Sequence, residues 1–256
     1  MLAVLALLGA FEFVCPCGPA SAMLAGGAVP DWRHGLTLNP ALAGPDHVVG
    51  GAAMHARPYG LDGLSWGRAG VNWQGRSLSV SAAAASLALG SYGENDVQVC
   101  LAGSPVRQTR IGIGAHALIE RMGRAGSDVV PAVDVGGSYS VGTLMLGAAA
   151  LGLNAPRWRD GTDLAAKVMV SGAWRPATTL LLALDITREE AAERAAFGVE
   201  FRIIPQAGLR FGVATEPLQY AGGVGLEIGP VMVDYAWRFH PQLKGTHIIG
   251  LTGTWH

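Results

Sequence analysis

From His47 onward, apolar residues recur at every second position in runs of about ten, and turn residues separate the runs. Val231, Val233, Tyr235, Trp237 and Phe239 alternate with Met232, Asp234, Ala236, Arg238 and His240. Leu180, Leu182, Leu184 and Ile186 alternate with Leu181, Ala183, Asp185 and Thr187, and Phe197, Val199 and Phe201 with Gly198, Glu200 and Arg202. Side chains switch faces at this period only in a strand. The chain is therefore expected to be all-β, with about fourteen strands.

The chemistry of the two faces separates a soluble sandwich from a membrane barrel. Half of the 256 residues are hydrophobic, only 14% are charged, and the mean hydropathy is +0.32. The polar face is not rich in Lys, Glu, Thr and Ser, as a solvated sheet would be. It holds Gly, Ala and isolated charges, which suits a crowded interior. Aromatic residues near strand ends (Trp66, Trp73, Tyr139, Trp174, Tyr220, Trp237 and Trp255) resemble the interfacial girdles of outer-membrane barrels. Only a closed barrel satisfies the backbone of strands in lipid. Short junctions at Gly142-Thr143, Pro205-Gln206 and Gly229-Pro230 alternate with mostly longer ones. An up-and-down antiparallel barrel with both ends in the periplasm of a diderm bacterium has that pattern. A net charge of −1, with scattered basic residues, excludes nucleic-acid binding.

Three segments are expected. Residues 1–22 read as a secretory signal: an apolar run from Leu2 to Val14 precedes Ala20-Ser21-Ala22, an A-x-A cleavage site. Residues 23–46 precede the first strand, and residues 47–256 form the barrel. Cys15 and Cys17 would leave with the signal, so Cys100 has no disulfide partner.

Parity places Arg110, Glu120, Asp134, Lys167, Asp185, Glu200, Arg202, Arg210, Glu227, Asp234 and Arg238 on the inward face. Their signs nearly balance. Charges in a low dielectric must be paired, so they are read as a salt-bridged filling or as the lining of a polar conduit. Ser138, Asp134 and His116 share the inward side of adjacent strands, yet no catalytic motif, metal-ligand spacing or cofactor motif is present. No enzyme activity, metal or cofactor is expected.

Asn39-Pro40-Ala41, just ahead of the first strand, resembles the Asn-Pro-Ala motif of the FadL superfamily, which includes PorV- and PorQ-like proteins. His240 to His247, leading into the last strand, is also similar to that group. The resemblance implies an N-terminal hatch folded into the lumen and passage of small hydrophobic molecules across the outer membrane. The PorV-like alternative is a barrel subunit of a protein-secretion or envelope complex. Implied partners are membrane lipid, the outer-membrane assembly machinery, and either a hydrophobic small molecule or a secretion-complex subunit. It further implies a lateral gap near the N-terminal strands. Apolar parity switches within Leu64 to Trp73 and slips across Ala82, Ala83, Ala84 and Ala85, so a β-bulge is expected there.

Overall fold

The computed structural model describes residues 20–42, 49–123, 126–159, 161, 163–189 and 192–255. The wall consists of β1 (Val49–Arg57), β2 (Leu64–Gln74), β3 (Leu78–Leu89), β4 (Tyr92–Val106), β5 (Thr109–Met122), β6 (Ser127–Val141) and β7 (Leu144–Leu151), followed by β8 (Lys167–Ala177), β9 (Leu180–Glu189), β10 (Ala192–Ile204), β11 (Ala207–Ala214), β12 (Gln219–Ile228), β13 (Val231–Phe239) and β14 (Thr246–Trp255). Each strand pairs antiparallel with its sequence neighbour, and β1 pairs with β14 to close the barrel. The expected fourteen-strand up-and-down barrel is the fold observed.

Closure leaves no edge, and the faces divide as parity requires. Outward residues such as Val170, Ile186, Phe211, Val224 and Ile249 form an exposed apolar belt, whereas Asp185, Glu200, Arg210 and Asp234 are buried inside. Among the described residues no helix is long and apolar enough to span a membrane. The strands carry the exposed apolar face.

The rim carrying both strand ends of the closure, Val49 and Trp255, is built from links of two or three residues, with Gly142 (φ 58°) and Gly229 (φ 59°) in the left-handed conformation such turns need. On the opposite rim the β3–β4 and β9–β10 links also have two residues, but the other five are longer, up to residues 152–166 between β7 and β8. The charged stretch around Arg188 to Arg194 is mostly strand: β9 runs to Glu189 and β10 starts at Ala192.

Two expectations are corrected. The β2–β3 ladder is continuous from Leu64↔Leu89 to Gln74↔Ser79, and β3–β4 from Leu78↔Gly103 to Leu89↔Tyr92. No bulge or gap exists at Ala82–Ala85. Register shifts occur instead in β4/β5, β8/β9 and β10/β11, each beside a two-residue turn. Nor does Trp66 join the outer girdle. It points inward at 4% exposure, against 51% for Trp73 on the same strand. Both errors have one cause: the inward face of β2 and β3 is itself apolar towards the longer-looped rim, so a change of chemistry looked like a change of face.

Candidate functional site

The lumen is filled by the chain's own N-terminal segment. Residues 20–42 fold into two single-turn helices, α1 (Ala20–Met23) and α2 (Trp32–Gly35), joined by tight turns. Asp31 caps α2, its carboxylate accepting the Arg33 N–H at 3.0 Å. The helices are linked by the Ala20 N–H, which donates to His34 Nε2 at 3.3 Å. Ala20 to Ala22, read from sequence as the end of a leader, are buried within this plug. Met1 to Pro19 and Ala43 to Val48 lie outside the described residues.

Asn39 is the plug's anchor. Its side-chain amide donates to the carbonyls of Gly27 and Gly137, both at 3.1 Å, and its Oδ1 accepts the Ala41 N–H at 3.0 Å. One short side chain thus closes a local turn, ties two parts of the plug and attaches them to β6. The wall must come close for this. A Cβ at Gly136 would collide with Asn39 Oδ1, and one at Gly112 with the Pro40 carbonyl. The inward glycines of the sequence are these docking points.

The same logic runs round the barrel. Gly198 and Gly212 face Met23, Gly223 faces the Ala22 methyl, and Gly147 faces the Gly27 carbonyl. Trp32 packs on Gly50, and Leu36 and Trp32 cluster with Ala83 and Cys100. Arg68 donates to the Leu36 carbonyl and Arg238 to that of Ser21. Arg33 reaches Asp234 and Thr252, both at 3.2 Å, and Gly27 abuts Met169 on β8. With Asp185 on β9, described next, the plug touches every one of the fourteen strands.

The eleven expected inward charges serve different ends. Asp185 accepts the backbone N–H groups of Gly26 and Gly27 at 2.8 and 3.1 Å, clamping the plug. Arg202, Glu200, Arg210 and Asp234 form a continuous ion-pair ladder that ends on Arg33 of the plug. Asp134 bonds His116 at 2.7 Å, Glu120 accepts the Tyr92 hydroxyl at 3.0 Å, and Lys167 pairs with Glu189 at 2.9 Å. Arg110 donates to Ser79 and Ser104. Glu227 departs from the expectation, being exposed at the short-turn rim beside Trp255. Sequence reasoning missed Arg68, Glu94 and Asp96, although extending the parity of Asn72 and Gln98 back along their strands would have found all three.

Both His116 ring nitrogens are taken, by Asp96 at 2.9 Å and Asp134. None is left to accept a proton from Ser138, so these residues do not form a nucleophile–base pair. No group of His, Cys, Asp and Glu that could hold a metal is present among the described residues. Within the plug, burial alone would push Asp31 up, but the Arg33 guanidinium holds it well below the usual carboxylate range. Burial lowers His34, outweighing the pull of Asp31.

Beyond the plug, towards the longer-looped rim, the inner wall changes character. Met54, Leu64, Trp66, Leu87, Leu89 and Ile248, from β1, β2, β3 and β14, form an apolar cluster, with Tyr59 and Leu61 from the β1–β2 link against it. The neighbouring strands β4 and β5 carry the polar groups Glu94, Asp96, His116 and Glu120.

No protein-family model matches the sequence, and no curated protein is similar to it in sequence. Solved structures are similar in fold. The Ralstonia pickettii toluene transporter TbuX superposes with a TM-score of 0.72 at 12% identity, covering 95% of this chain and 100% of that one. A Pseudomonas aeruginosa FadL homologue gives 0.66 at 11% identity over 94% and 97% of the two chains. The Pseudomonas putida toluene transporter TodX gives 0.63 at 10% identity over 90% and 95%. The shared fold is the barrel that the Asn39-Pro40-Ala41 resemblance implied.

Proposed function

We propose that this chain is an outer-membrane channel for small hydrophobic molecules, closed at rest by its own N-terminal plug. The observation that carries this reading is the apolar inner wall around Trp66 and Leu87. A barrel that only filled its lumen with paired charges has no need of one. These side chains are buried, with Ala22 of the plug among them, so a shift of the plug would bare an apolar wall against which a hydrophobic solute leaves water at about 25 cal/mol per Å² buried. The toluene transporters of the same fold carry such solutes. Passage then requires the plug to shift. Export belongs to the same reading, with the leader removed ahead of Ala20, because Ala20 to Met23 are packed as part of the plug. A mature chain starting at Met23 would contradict that placement.

Radiolabelled toluene accumulation in cells with an intact lipopolysaccharide layer tests transport. Expression of the protein should raise the initial rate several-fold, and Leu87→Glu should abolish the gain while the barrel still forms. A folded, surface-assembled barrel that gives no gain would sink the transport reading. It would leave a partner-binding subunit of an envelope complex, which co-purification from native membranes would reveal.

A further inference from the structure

The seam where the barrel closes has an outer surface unlike the rest of the belt. In the register of β13, β14 and β1, Trp237, His247 and Arg57 stand side by side nearest the longer-looped rim. Tyr235, Ile249 and His55 form the next row, and Val233, Leu251 and Ala53 the one after. These rows face outward, because Ala56, Ala236 and Ile248, which alternate with them, are at most 1% exposed inside the barrel. The third row is wholly apolar. The first two set a guanidinium and two imidazoles among aromatic rings.

Arg57 is exposed and forms no ion pair among the described residues; Asp62, the acid of the β1–β2 link, is exposed and not paired with it. Elsewhere on this rim Arg159 pairs with Asp128 at 3.3 Å and Arg188 with Glu193 at 3.8 Å. His247 is held by one edge only. Its Nδ1 lies 2.8 Å from the Tyr235 hydroxyl, which leaves Nε2 as the unengaged edge of an exposed ring. His55 is exposed on the same face as Arg57, and Lys244, exposed on the β13–β14 link with its stem beside Gly60, adds a second cation. The indole of Trp237, half exposed against Gly245, marks the height of this row, since indoles settle at the headgroup level of a bilayer. Donors in that row meet lipid headgroups, and the apolar row beneath meets acyl chains.

We propose that Arg57, His55 and His247 form a binding site for the phosphate of an acylated glycolipid in the outer leaflet, its chains lying over Val233, Leu251 and Ala53. A guanidinium fork grips phosphate oxygens in bidentate fashion, and an imidazole N–H supplies a further donor. The site rests on the outer-membrane reading above, which turns the longer-looped rim outwards. A basic residue at a membrane surface strengthens attraction to an anionic lipid by about fivefold, and salt screens the effect.

The test is native mass spectrometry of the full barrel in detergent, offered equal amounts of bisphosphoryl lipid A and the dephosphorylated glycolipid with the same chains. The wild type should retain the phosphorylated form preferentially. Arg57→Gln should cut that preference by about fivefold, and Arg57→Gln with His247→Gln should remove it. Arg57→Lys should keep part of it, and Arg107→Gln, on the opposite rim, should change nothing. Equal retention of the two glycolipids by the wild type overturns the proposal, as does an undiminished preference in the folded double variant. Displacement by millimolar glucosamine 1-phosphate would make this a site for free phosphate esters, and displacement by equimolar phosphatidylglycerol a phospholipid site; either result overturns the glycolipid assignment. A barrel that stays monodisperse without detergent overturns the membrane reading instead, so the two failures are distinguishable.

Discussion

At the scale of single residues, the sequence showed the need but not the reason. Glycines on the inward face could be recognised as marks of crowding, and Asn39-Pro40-Ala41 as a compact turn. That Gly136 makes room for Asn39 and Gly212 for Met23 could not be read, because the plug has no periodicity and its partners lie on distant strands. His34 carried no sign of a role in the sequence for the same reason. It is fully buried, and its Nε2 accepts the Ala20 N–H, so the ring is neutral with the proton on Nδ1. Asp31 and Arg33 flank it on the plug and Asp185 faces it from β9. Because burial lowers its folded-state pKa, the unfolded plug binds protons first. The neutral ring's contribution is therefore intact above about pH 6.5 and shrinks as pH falls below that value. Planar-bilayer conductance should rise on acidification of the wild type, with a much flatter response in His34→Gln. A wild-type conductance that is flat between pH 7 and pH 4.5 would show that His34 does not hold the plug.

At the scale of elements, alternation identified inward and outward faces correctly wherever those faces differed in polarity, as on β5, β9, β10 and β13. It failed on β2 and β3, where Leu64, Trp66, Leu87 and Leu89 make the inner face as apolar as the outer. A binary pattern carries no information when both sides are apolar. The misread stretch is the one that lines the proposed entry. The face assignment can be tested energetically. Val233 and Leu182 lie on the outward face in mid-strand, so on the outer-membrane reading proposed above Val233→Arg or Leu182→Arg should destabilise by about 2–4 kcal/mol near the bilayer midplane. Ala236→Ser, on the inward face of the same strand as Val233, should cost about 1 kcal/mol or less, since a hydroxyl can bond back to its own strand. Denaturant titration of vesicle-refolded protein measures all three. Equal losses on the two faces would contradict the assignment.

At the scale of the molecule, the barrel and its plug are different kinds of structure. The wall's hydrogen bonds run from strand to strand and close on themselves through β1 and β14, with no ladder contributed by residues 20–42. The plug is held the other way, by side chains and single backbone contacts spread over all fourteen strands, with Asn39, Asp185 and the Arg33–Asp234 pair as its main attachments. A wall that is complete without its plug should survive the loss of it, and a lumen packed by nothing else should open. Deleting Ala20 to Leu38 removes both helices, the Arg33 pair and the Asp185 clamp, and leaves Asp185 to water and Asp234 with Arg210 as its remaining cation. Such a variant should still migrate as a compact, heat-modifiable band on gels. Its unfolding temperature should fall, because the ion-pair ladder from Arg202 to Asp234 loses its terminal partner and the inner apolar clusters lose Trp32, Met23 and Leu36. Single-channel conductance should rise from near closure to steady openings. A deletion variant that folds but conducts no better than the wild type would mean that side chains of the wall, not the plug, close the lumen.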